Sequence, residues 1–177
     1  MINQTLTHYK KGLQLSDGGR ELSGYTGYAG DCVARALSHL YYYDLHMHKT
    51  PDTMHFTDIE ARAYCYKKAY DELALGMQSI GQPKSARNGV HKKVYEPIFK
   101  REGLVWNTCM FKGAKIRHRL ENLPRGVSYI LRLARHLVYA HDNVIYDTWD
   151  CSRKMVYGFW AFKKYKTHTK ENNYEIG

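Results

Sequence analysis

The amino-acid sequence predicts an α+β protein, with helices first and an antiparallel sheet last. Three observations lead there. Apolar residues recur at helical spacing at Val33, Ala36, Leu37, Leu40 and Tyr41, and again through 59–73. The last third breaks into four short segments rich in Val, Ile, Tyr, Leu and Trp. The chain has 177 residues, 44% hydrophobic and 25% charged, which suits one domain with its own core and excludes a mostly disordered polymer.

Residues 1–22 are polar and mixed and end in Ser16-Asp17-Gly18-Gly19, the composition of an N-terminal arm or a short extended lead-in. A glycine-rich loop, Gly24 to Asp31, then runs into the first helix, so Cys32 falls at its first turn. Thr57-Asp58-Ile59-Glu60 has the form of a capping box and opens a second helix expected to reach about Leu75. A third helix is expected over 90–102, stopped by Gly103, followed by a strand over 104–110 and a short helix over 115–123. The segments 127–134, 136–141, 144–149 and 156–162 then read as strands. Asp142-Asn143 suits a tight hairpin whose two central residues take positive φ. The expected layout is an arm over 1–22, one domain over 23–163 and a polar tail over 164–177.

Lys+Arg 27 against Asp+Glu 17 gives a formal charge of +10, which favours polyanionic partners. Sixteen tyrosines also offer stacking surfaces for unpaired bases. The basic residues are nevertheless spread along the chain, and no helix-turn-helix, zinc-finger or RNP signature accompanies them. That is the pattern of solvated faces, with polyanion contact as a secondary expectation. No apolar run approaches the roughly 18 residues of a membrane span, and the N-terminus lacks a signal-peptide pattern. Cys32, Cys65, Cys109 and Cys151 share no C-x-x-C pairing and read as reduced thiols of a cytoplasmic protein. Cys65, Cys109 and Cys151 read as packing residues. His46, His48 and His55 lack a cysteine or carboxylate at matched spacing, so no metal site is expected.

The chemistry concentrates on Cys32. A thiol at a helix N-terminus loses its proton easily, because unpaired amides and the helix dipole favour the thiolate. A nucleophile also needs a base and a group that orients the base. If Asp142-Asn143 is a two-residue turn, His141 lies opposite Val144, Asp147 opposite Val138 and His136 opposite Trp149. His136 and Asp147 then share one face as diagonal neighbours, roughly 7–8 Å apart at the backbone. A three-residue turn hands the orienting role to Asp150, which otherwise anchors the following turn. Trp149 is expected beside the site, shielding the pair from water. Arg35, one turn into the helix, is a candidate partner for Asp31 or a substrate carboxylate, although a solvated helix face is the simpler expectation.

Gly30-Asp31-Cys32-Val33-Ala34-Arg35-Ala36-Leu37, followed by Arg135-His136-Leu137-Val138-Tyr139-Ala140 and Tyr146-Asp147-Thr148-Trp149-Asp150, resembles the papain-like cysteine peptidases. It is most similar to small phage and bacterial proteins related to the bacteriocin leader-processing peptidases. Two stretches carry the resemblance, roughly 30–40 and 127–150. It implies a papain-like fold and a thiol nucleophile at Cys32, with His136 as general base then acid and Asp147 holding the imidazole. It further implies an oxyanion hole that includes the Cys32 amide, no metal or organic cofactor, and a protein or peptide substrate. For a phage protein that substrate is a candidate host protein, met in the host cytoplasm.

The sequence departs from the papain pattern at one point. No glutamine stands in 24–31 as the second oxyanion donor. Thr26 and, from farther away, Gln14 are the candidate replacements, with Asp31 beside the nucleophile. Absence of such a donor costs on the order of 10²–10³ in rate. Amidase, isopeptidase or transglutaminase-like transfer fits the same triad, and a non-catalytic basic, tyrosine-rich binding protein is the alternative of another class.

Overall fold

The computed structural model describes residues 12–27, 30–109, 119–167 and 174–176. The fold is α+β, as expected. Strand β1 is Leu13–Leu15, helix α1 Cys32–Tyr43, α2 Asp58–Ser79, α3 Lys92–Arg101 and β2 Val105–Thr108. After a short 3-10 turn at Leu120–Asn122 come β3 Ser128–Leu133, β4 His136–His141, β5 Val144–Asp147 and β6 Gly158–Ala161. Six strands form one mixed sheet in the order β1-β5-β4-β3-β6-β2, in which only the β1–β5 pair is parallel.

Alternation along the strands divides the core in two. Ile130, Leu137, Tyr139 and Trp160 point toward α1, α2 and α3, where they meet Leu37, Leu40, Tyr66 and Phe99. Tyr129, Leu131, Val138, Ile145 and Phe159 point to the opposite face, which the 3-10 turn and the Cys151–Val156 segment cover. Helix α1 lies between the sheet and α2, so every residue from Val33 to Tyr41 is buried, not only the apolar stripe. The capping box at Thr57 forms as the sequence predicts: its side chain accepts from the Glu60 amide, and the Glu60 carboxylate accepts from Thr57 N–H.

Two expectations about the chain ends need correcting. Leu13–Leu15, assigned to an arm, pair in parallel with β5, placing Leu15 beside Asp147. The chain then turns through Gly18 and Gly19, both with positive φ, and lies against α1 at Arg35 and α2 at Arg62. A Cβ on Gly18 would meet the Arg35 backbone at 3.2 Å, and one on Gly19 would meet Arg62 O at 2.5 Å. Glycine is therefore required there for space as well as for conformation. At the other end, Tyr165–Thr167 (β7) and Tyr174–Ile176 (β8) pair as an antiparallel ladder within the stretch expected to be a tail. Of the helix expected over 115–123, residues 115–118 lie outside the described residues. Among the described residues, no helix is long and apolar enough to cross a membrane.

Candidate functional site

Helix α1 begins at Cys32, with Asp31 at the N-cap position. The Asp31 carboxylate makes no capping bond to the first turn. It is fully buried and turned instead toward Arg35 and toward the Tyr66 hydroxyl, which donates to Oδ2 at 2.5 Å. No side-chain cap therefore occupies the first-turn amides, which favour negative charge at the thiol position.

The hairpin has the register of a two-residue turn, with His141 opposite Val144 and Tyr139 opposite Tyr146. Asp142 and Asn143 both take positive φ, at 45° and 62°. His136 and Asp147 consequently meet, with Nε2 of the ring 2.5 Å from Oδ2 of the carboxylate. Trp149 packs its ring 5.3 Å from that of His136 and stays 42% exposed, so it walls one side of the pair without sealing it. Asp150 Oδ1 accepts from the Ser152 amide and hydroxyl and pins the next turn.

Arg35 is not on a solvated face. It is 6% exposed and bridges the helix to the sheet, ion-paired with Asp31 and donating from Nη2 to Asp147 Oδ1 at 3.0 Å. One carboxylate oxygen of Asp147 thus serves the guanidinium and the other the imidazole. The Asp147 backbone carbonyl accepts from Ser16 N–H at 2.9 Å, so β1 fixes the main chain of the same residue. Helical periodicity scores only apolar positions, which is why Arg35 escaped it.

Cys151, expected to be a packing residue, also belongs to the site. It is buried and lies 3.5 Å from Asp147 Oδ2, to which its thiol donates. Its position four residues after Asp147 was a signal only in hindsight of where β5 ends. His136, Asp147 and Cys151 offer nitrogen, oxygen and sulfur atoms all within 4.8 Å of one another. Two nitrogen or oxygen ligands on tetrahedral zinc stand about 3.3 Å apart. Nε2 and Oδ2 stand 2.5 Å apart, hydrogen-bond contact and closer than two such ligands stand on one zinc ion.

The electrostatics follow from these contacts. Burial alone would raise the Cys32 thiol, but hydrogen bonds from His136 and the Leu137 backbone, with the charges of His136 and Arg35, hold it below its ordinary value. Burial would lower His136, yet hydrogen bonding with Asp147, Cys151 and Cys32 pushes it up to about 11. For Asp147, burial is likewise outweighed by its bond to His136, and its carboxyl stays below the usual range. Burial pushes the Cys151 thiol up. Two cysteines flank one imidazole and are driven in opposite directions. A thiolate–imidazolium pair at Cys32 and His136 can attack an acyl carbon and then deliver a proton.

The other expected residues lie elsewhere. Thr26 is exposed, and its carbonyl accepts from Arg87. Gln14 sits in β1 opposite Tyr146, with its amide directed to the Leu15 carbonyl at 3.5 Å. Neither lines the space around Cys32. That space is two adjoining clefts of about 780 and 370 Å³, which share Cys32, Gly89, Arg135 and His136. Asn88 lines the larger one and is its one side-chain amide among the described residues. Its backbone forms a parallel bridge with Gly30, and Gly89 N–H donates to Gly30 O at 3.0 Å. A long-range bridge of this kind leaves no local sequence signature. No family model, curated protein or solved structure matches this chain.

Proposed function

We propose that this protein is a thiol hydrolase with a papain-like architecture, cleaving peptide or isopeptide bonds through Cys32, His136 and Asp147. The observation that carries the reading is the convergence of Cys32 and His136 on the same two clefts with the His136 ring 2.5 Å from Asp147, surroundings that lower the thiol and raise the imidazole. The Cys32 thiolate attacks the carbonyl carbon, a C–S bond forms and the carbonyl π pair moves to oxygen. The Cys32 amide stabilises that oxyanion, and Asn88, in the same cleft, is the side-chain amide that stands where Thr26 and Gln14 do not. His136 gives its proton to the departing amine as the C–N bond breaks, leaving a thioester. Water then loses a proton to His136 and attacks the thioester, releasing the acid and restoring the ion pair.

A panel of nitrophenyl ester, peptide, isopeptide and amine-acceptor substrates tests this reading. The expected result is a burst of nitrophenol equal to the enzyme, an acyl adduct on the Cys32 peptide by mass spectrometry, and turnover of a peptide or isopeptide bond. Cys32→Ala should remove adduct and turnover, by at least about 10³-fold. Hydrolysis that survives Cys32→Ala, or acyl adducts confined to other residues, would defeat it. Transfer to added amine exceeding transfer to water would assign the same triad to acyl transfer instead.

A further inference from the structure

The two clefts that meet at the Cys32 thiol differ in chemistry. The smaller presents Val90, Tyr95, Leu137 and Tyr157 beside Arg132 and the shared Arg135, a mixed surface. The larger is lined by Arg20, Arg35, Arg135 and Lys154, against a single lining carboxylate, Glu21. Two of those cations are already engaged. Arg35 is paired with Asp31 and Asp147, and Arg20 lies 3.7 Å from Asp31 and 3.9 Å from Glu21. Arg135 and Lys154 are different. Both are exposed, and among the described residues neither meets a carboxylate; the Lys154 ammonium rests 5.5 Å from the centre of the Trp149 ring.

Arg135 occupies a costly position. It is the second residue of the two-residue turn between Leu133 and His136, and takes a φ of 54°. Glycine or asparagine fills such positions at less conformational cost. Here a long cation stands there instead, directly before His136 and at the junction of both clefts. An unpaired guanidinium bordering a reactive thiol is a ready partner for a carboxylate, which it can hold through two parallel N–H bonds.

Resting on the reading of Cys32 as nucleophile, we infer that the larger cleft binds an acidic side chain next to the scissile bond. Arg135 and Lys154 hold its carboxylate. The substrate class is an acidic peptide segment. Arg135 and Lys154 are specificity residues in this account and move no proton.

Alkylation of Cys32 by iodoacetate and by iodoacetamide tests this without a known substrate, since the two reagents differ in the carboxylate. Rates are read on the Cys32 peptide by mass spectrometry, at one pH and low salt, for the wild-type protein, Arg135→Gln, Lys154→Gln and the double variant. The wild-type iodoacetate-to-iodoacetamide ratio should exceed that of a free thiol and fall as salt is added. The double variant should lower that ratio by about 3- to 30-fold, with each single variant between. An unchanged ratio on a thiol that still reacts fast with iodoacetamide overturns the inference alone. Slow labelling of wild-type Cys32 by both reagents overturns the nucleophile reading, and this inference with it.

Discussion

Replacing His136 by alanine is expected to lower kcat/KM on the substrate found active by about 10²- to 10⁴-fold, the range lost with a positioned acid–base. Two effects combine. The leaving amine loses its proton donor, and the Cys32 thiol loses the hydrogen bond and charge that outweigh its burial. The pH profile separates them. On the proposed mechanism the reactive pair is Cys32 thiolate with His136 imidazolium, so activity should rise as Cys32 deprotonates, below its ordinary pH range. It should fall again as His136 loses its proton near 11. In His136→Ala the acid limb should move up to about pH 8.5 or beyond, the ordinary thiol range, and the limb set by His136 should vanish. An alanine variant that keeps the wild-type acid limb would show that the imidazole does not set the thiol.

The second large effect is structural. Arg35→Met is expected to destabilise the fold by about 3–5 kcal/mol, as breaking a buried ionic network does. The reason is geometric. Asp31 and Asp147 are both almost fully buried, and the one guanidinium between them pairs with both, while the other oxygen of Asp147 meets His136. Methionine fills the space but leaves two carboxylates facing each other in a medium that solvates them poorly. Urea unfolding should show the loss directly, and the melting temperature should drop by roughly 6–20 °C for a domain of this size. A loss within about 0.5 kcal/mol, the usual range for surface substitutions, would place Arg35 outside the network. Lysine should restore only part of the loss, because an ammonium cannot present the planar fork that reaches both carboxylates.

These two residues also mark the limit of what the sequence discloses. His136 was legible because a hairpin obeys local rules. Asp142-Asn143 fixes the turn, the turn fixes the register, and the register puts His136 near Asp147. Cys32 was legible because a glycine-rich loop followed by apolar residues at helical spacing locates a helix start. Arg35 was not, since periodicity describes one buried face and α1 is enclosed on more than one. β1 escaped because three residues with no turn signal of their own pair in parallel with a strand more than a hundred positions later. Cys151 and Asn88 escaped for a similar reason. Each reaches the site through where a distant loop comes to rest, and spacing along the chain carries no trace of that.

The site gathers its functional groups from elements with different jobs. α1 contributes the thiol with first-turn amides free of any side-chain cap, β4 the imidazole, and the end of β5 the carboxylate. Arg35 ties the helix to that carboxylate from one side, while β1 holds its backbone from the other. In the proposed mechanism such double anchoring would keep Asp147 from following the His136 ring. A fixed carboxylate can then hold the ring in one tautomer through both halves of an acyl transfer.

The most direct measurement is the ionisation of Cys32 itself, followed by thiolate ultraviolet absorbance across pH, with Cys32→Ser as the blank. A sulfur already ionised at neutral pH, whose titration moves up toward the ordinary range when His136 is replaced by alanine, is the predicted result. A sulfur that stays protonated until about pH 8.5 in the wild-type protein, the value of an unperturbed thiol, would contradict the ion pair and every step drawn from it.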